Sequence, residues 1–360
     1  MAEPEYTEAA YRPRNPLPDE PFYQPPVVRR NAGRTIIGGV LLGLGVIWLL
    51  GMLATGALWS SSGESGDDGV LIDQTFQAQQ LDLEVPLGDV EVRGWDEATI
   101  GVVASYDGGS AADYQVTTEV RDGVLVIRGG PQQGLFSLGQ REITYVIQVP
   151  AAAAAQIKTT NGSIDVAELN GVVTLDATNG GISAQEIPNG LIANTVNGSI
   201  ELQEIGGALE ATSVNGSITL DDGAVKSATV NTTNGEIELN GVSGEVTIES
   251  VNGRIEIENA REAHMRVSST NADIRVVGTF APGRESTFNT VSGDISLRFE
   301  PERSFAVEAS TVGGEIWIEH NFAFEAQQQE PRSLIGRVGS GGATLNISTT
   351  SGDIRLISPQ

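Results

Sequence analysis

Only two histidines, His264 and His320, occur in this 360-residue chain, and there is no cysteine. Their scarcity limits the chemistry on offer. Without a thiol there is no disulfide, thiolate nucleophile, iron–sulfur cluster or cysteine-type zinc site. A Ser-His-Asp set needs a geometry that spacing alone does not supply, and His264 opens the alternating stretch HMRV, where a structural strand residue is the simpler reading. Carboxylates are plentiful: Glu201, Glu210, Asp221, Asp222, Glu236, Glu238, Glu256 and Glu258. Glycosidase-type or lyase-type work needs two such groups facing each other across a cleft. Here they are spread evenly along a regular array, with no long loops to wall a cleft, and they read as a solvated face. A calcium-binding β-roll needs an aspartate in each turn, but the residue two places after each turn glycine is isoleucine, and EF-hand spacing is absent. No catalytic, cofactor-binding or metal-ligating residue is assigned, no cofactor is expected, and the chain reads as a non-enzyme.

The formal charge of −26 excludes a second set of functions. Residues 1–34 hold five arginines and five acids, so the net acidity lies further along the chain. Such a field repels nucleic acid and anionic lipid headgroups. The expected partners are an envelope protein or a glycan rather than nucleic acid, and the sequence does not set the oligomeric state.

What must position these residues is a repeat. Val196-Asn197-Gly198-Ser199-Ile200 returns as Val214-Asn215-Gly216-Ser217-Ile218, and the same turn recurs at Asn161, Asn179, Asn197, Asn215, Asn234, Asn252 and Asn271. A fixed period of 18 or 19 residues predicts a parallel β-solenoid, a β-helix or β-roll of stacked coils. Each coil carries two short alternations of inward and outward side chains. Its inward positions predict a core ladder of Ile164, Ile182, Ile200, Ile218, Ile237, Ile255, Ile274, Ile295, Ile316 and Ile354, and the asparagines predict a structural turn ladder. No Phe, Tyr or Trp occurs from Ala151 to Ala260, which fits a narrow aliphatic lumen. Aromatics return near the C-terminus, from Phe280 to Phe324, and predict capping coils there.

The organisation before the array reads in steps. Residues 1–34 contain seven of the fifteen prolines and predict a disordered cytoplasmic tail. Thr35 to Trp59 are uncharged, long enough to cross a bilayer, and follow Arg29, Arg30 and Arg34, so the positive-inside rule predicts a single-pass transmembrane helix at the bacterial plasma membrane. Residues 60–69 read as a flexible linker, 70–150 as an antiparallel β lead-in segment with a hairpin at Arg121-Asp122-Gly123, and 151–360 as the repeat domain. The C-terminal domain is then expected outside the cytoplasm.

Three stretches, LGDVEVRGW, YVIQVPAAAAAQIKTTNGSIDV and the long run of NGxI and SGDI repeats, together resemble a bacterial β-strand-repeat family of unknown function that carries a provisional adhesin label. The resemblance covers about residues 80–357. It implies a β-helical domain in the bacterial envelope, often tethered to the membrane, and brings no catalytic residues with it. The expected function is a non-catalytic interaction or structural module of the envelope. Its alternatives are a carbohydrate-active β-helix enzyme with a site in the C-terminal loops, or a self-assembling scaffold.

Overall fold

The computed structural model describes residues 69–358, except 109, 132–141, 301–303, 320–323 and 341. Those residues form 27 strands and one short 3-10 turn, Ala111–Asp113. The chain winds so that each rung contributes one strand to each of two sheet faces. The long strands Ile200–Ser213 and Ile255–Ser269 bend around a corner and belong to both.

In the middle the winding is regular. Ile182 pairs in parallel with Ile164 and Ile200, and Ile200 with Ile218. On the other face Leu175 lies between Ile157 and Ala193, and Ala193 pairs in turn with Ala211. The alternation that put Ile, Leu and Val at every second position turns those side chains inward, where they are buried. Each buried aliphatic side chain stabilises by about 1.5–3 kcal/mol, and no single rung has a core without its neighbours.

Both ends depart from this order. At the start, the rung 80–95 lies directly on 154–167, with Leu81 opposite Ala155 and Val90 opposite Ile164. The intervening chain forms an outer rung, 124–131 with 142–150, that also pairs in parallel with 80–95. Beyond it, Gly69–Phe76, Ile100–Asp107 and Tyr114–Arg121 are laid on as antiparallel strands. At the far end the last rung in sequence, 343–357, is inserted between 286–299 and 305–318, so that Ile354 pairs with both Ile295 and Ile316. Ser333–Val338 and Phe324–Glu330 then extend one face antiparallel.

The expected fold class is corrected accordingly. The fold is all-β, but the parallel β-solenoid of 18–19-residue coils, preceded by an antiparallel segment and a transmembrane helix, does not describe it. Residues 80–95 are an integral rung in parallel pairing, and the chain order breaks at both ends. The physical reason is the sheet edge: a simple winding would leave two rows of unpaired backbone groups, whereas doubling back covers them with further strands. Among the described residues no helix is long and apolar enough to cross a membrane. The anticipated tail at 1–34, helix at 35–59 and most of the linker at 60–69 lie outside the described residues. The transmembrane anchor, and the plasma-membrane localisation built on it, have no support in the described fold and are withdrawn.

Candidate functional site

Asparagine and glycine open one corner of every regular rung, and the geometry there is continuous. Asn179 Nδ2 donates to Asn161 Oδ1 at 2.9 Å, Asn197 to Asn179 at 2.8 Å and Asn215 to Asn197 at 2.8 Å. The chain of bonds continues through Asn234, Asn252 and Asn271, each at 2.9 Å from the preceding asparagine. An amide has one acceptor and one donor group, so each asparagine inside the run serves its neighbours on both sides. The backbone follows the same rule, Asn197 N donating to the Thr178 carbonyl and Asn215 N to that of Val196, both at 2.9 Å.

Behind the asparagines runs a second ladder, which sequence reasoning missed. Thr195, Ser213, Thr232, Thr290, Thr311 and Thr349 are buried, and each hydroxyl donates to a carbonyl at the same corner, as from Thr195 to Gly180 at 2.9 Å and Ser213 to Gly198 at 3.0 Å. A buried hydroxyl without such a partner would cost about 1–3 kcal/mol. The signal was in plain view, because a Thr, Ser or Ala stands two places before every turn asparagine.

The isoleucine positions Ile164, Ile182, Ile200, Ile218, Ile237, Ile255, Ile274, Ile295 and Ile354 are buried in one column, and Ile316 is half-buried at its end. The spatial order differs from the sequence order only at the C-terminus, where Ile354 precedes Ile316. The returning aromatics point mostly inward. Phe280 meets Phe288 and Phe299 edge-on at 5.7 and 5.9 Å, and Phe299 stacks on Phe305 at 4.1 Å. Trp317 alone among these stands outward, 52% exposed.

The opposite corner holds the largest open groove, about 560 Å³, lined by Trp95, Asp96, Glu168, Glu186, Pro188 and Glu204 among others. Glu168, Glu186, Glu204 and Asp222 recur every 18 residues there with φ between 52° and 62°, where later rungs use Gly241 and Asn259. Left-handed backbone at a non-glycine costs on the order of 1 kcal/mol per residue. Trp95 is fixed by its indole N–H, which donates to the Thr99 carbonyl at 2.8 Å. On the adjoining face the Asp165 carboxyl is pushed up by burial, against the opposing pull of Arg93, whose guanidinium lies 3.5 Å away. No group of three or more His, Asp or Glu among the described residues converges as a metal site would require.

His264 is nearly buried, and its Nδ1 lies 2.8 Å from Arg284 Nη2. A guanidinium only donates, so Nδ1 accepts and the ring proton sits on Nε2. Glu245 completes the cluster, held below the usual carboxylate range by the hydrogen bond from Arg266 at 2.9 Å and by the charges of His264, Arg266 and Arg284. His264 thus has a structural anchor in Arg284. His320 lies outside the described residues. Of the acids singled out above, Glu201, Glu238 and Glu256 lie side by side with Thr219 across neighbouring strands, pointing outward from one face.

These features define a class: an all-β protein of stacked parallel rungs whose corners are closed by side-chain ladders. Residues 78–357 match the Toastrack DUF4097 family, and the chain belongs to it. No curated protein matches the chain. Among solved structures, a candidate cell adhesion protein from Clostridium sporogenes is similar at 12% identity, with 82% of this chain and 100% of that one covered and a TM-score of 0.23. A candidate lipid-binding protein from Parabacteroides distasonis is similar at 16% identity, covering 81% and 98%, with a TM-score of 0.40. A candidate adhesin from Bacteroides fragilis is similar at 12% identity, covering 79% and 96%, with a TM-score of 0.28.

Proposed function

We propose that the chain is a non-catalytic interaction module of the cell-surface type. The observation that carries this reading is where the repeated polar groups are used. Asparagine amides bond to asparagine amides, and corner hydroxyls bond to corner carbonyls, from one rung to the next. Groups saturated in this way hold a shape and are not free to move protons or ligate ions. What the repeat leaves for function is its outer surface, a rigid and strongly acidic array whose partner is an envelope protein or a glycan. The net charge of −26 disfavours nucleic acid.

The test is binding and turnover measured together. The full-length chain is passed over a glycan array and used to capture envelope extracts, with and without calcium, while the same glycans are assayed for cleavage. Saturable binding without product supports the reading. Product formation that disappears on acid-to-amide changes would replace it with an enzyme.

A further inference from the structure

One strip of this acidic molecule carries no charge. The three positions that open the turn corner read T-N-G at 160–162 and 178–180, V-N-G at 196–198 and 214–216, and T-N-G and V-N-G again at 233–235 and 251–253. Further on they read T-N-A at 270–272, V-S-G at 291–293, T-S-G at 350–352 and V-G-G at 312–314. The pairing places these triplets one above another along a single edge. The first position of each is β-branched, and the valines among them stand out in water: Val196 is 41% exposed, Val251 40% and Val312 68%. The asparagines beside them bond along the edge to one another, which leaves little polar demand facing outward.

We infer that this edge is the contact between two copies of the chain, packed side by side and antiparallel. Three observations select a second copy as the occupant. At −26 the two chains repel wherever their acidic faces meet, and this strip is where they can approach without opposing like charges. Ten rungs at ~4.8 Å give a strip about 45 Å long and about 15 Å wide, close to the ~800 Å² a side of a standard interface. Both copies also carry the same spacing, so methyl groups of one edge fit between rungs of the other along the whole length.

Charge beside the strip sets the direction. The residue after each triplet is Ser or Gly in the first half, as at Ser163, Ser199 and Ser217. It is acidic in the second half, as at Asp273, Asp294 and Asp353. A parallel pair would set the acidic half against itself. An antiparallel two-fold pair sets it against the neutral half, and places the axis between Thr233 and Val251.

The inference goes beyond the interaction-module reading and stands apart from it, since a chain that pairs with itself could bind a glycan or none. The experiment is sedimentation equilibrium of the full-length chain over a wide concentration range, with Val214→Lys/Val251→Lys as the test and Val70→Lys, 61% exposed elsewhere, as the control. The expected result is a reversible dimer that the double lysine change weakens roughly a hundredfold or more by like-charge contact, and that the control leaves intact. Because the chain has no cysteine, single substitutions read the direction even where lysines perturb folding. Val251→Cys should cross-link to its own copy, and Val312→Cys should cross-link only when mixed with Thr160→Cys. A chain that stays monomeric, a dimer indifferent to both lysines, or a Val312→Cys chain that cross-links to itself would overturn the inference. Glycan binding by such a monomer would leave the interaction-module reading standing.

Discussion

The middle of the stack and its two ends are built from different side chains. From Ala151 to Ala260 there is no aromatic residue, and paired isoleucines stand 18 or 19 residues apart. At the C-terminal end paired positions stand further apart, 21 residues from Ile274 to Ile295 and 59 from Ile295 to Ile354, and four buried phenylalanines fill the core. At the N-terminal end Tyr145 is fully buried, and Tyr106 packs against Tyr114 at 5.0 Å. A short rung encloses only aliphatic width. Where the chain doubles back to cover an edge, the rungs lengthen and rings fill the added space. The middle therefore depends on identity between neighbours, the ends on individual large residues.

The sharpest way to break this comparison is to empty an end. Phe299 is buried and touches both Phe280 and Phe305. Phe299→Ala is expected to cost about 4 kcal/mol by cavity formation. Because stability in a stack passes between neighbours, amide exchange should rise first in 286–299 and 343–357 while 164–221 stays protected. Uniform loss of protection along the chain would show that the ends are not separable from the middle.

Next in size is a change in the middle, where the limit is close approach. A Cβ on Gly216 would run into the carbonyl of Gly198 in the adjoining rung, whereas one on Gly181 would meet nothing nearer than 3.4 Å. Gly216→Ala is expected to destabilise by about 2–3 kcal/mol through overpacking, and Gly181→Ala to stay within ~0.5 kcal/mol, both measured by denaturant unfolding. Equal effects would mean that the glycines serve turn conformation and not backbone contact.

Smaller still is the loss of one member of the exposed ladder. Asn215→Ala removes the bonds to Asn197 and from Asn234. Water reaches this edge and replaces part of what is lost, so the expected cost is about 1 kcal/mol. Asn271→Ala removes only the bond to Asn252 among those linking asparagines, and should cost less. The ordering of the two variants is the test.

Much of the middle was legible because one repeated word fixes both of its faces. The spacing of Asn197 and Asn215 gives the rung length, and Ile200 and Ile218 give the inward face. The buried column of Thr195 and Ser213 was equally repeated but looked like ordinary turn composition, since a hydroxyl next to Asn-Gly has a local use as well. The left-handed Glu168, Glu186 and Glu204 were hidden for another reason: glutamate carries no turn signature, and only the stacked neighbours impose the conformation. The order of the ends was not legible at all. Nothing in SGDI at 351–354 distinguishes a last rung from one inserted between two others; that choice is made by long-range edge pairing, which leaves no local pattern.

The smallest expected effect has the opposite sign and bears on what the aromatic end tolerates. Tyr145 is fully buried in the rung 142–150, between Val90 and Ala104 in register, and its hydroxyl has no hydrogen-bond partner. Tyr145→Phe removes that unmet group and keeps the ring, so the variant is expected to match the parent or gain up to about 1 kcal/mol at neutral pH. Burial raises the phenol's pKa in the folded chain above its ordinary value of 10.0. The unfolded chain then releases this proton first, so above about pH 10 the parent loses stability that the phenylalanine variant retains. The gap between the two should widen in alkali in the variant's favour. A variant less stable by more than about 1 kcal/mol, with no widening, would mean that the hydroxyl is satisfied and that the ends are as fully paired as the middle.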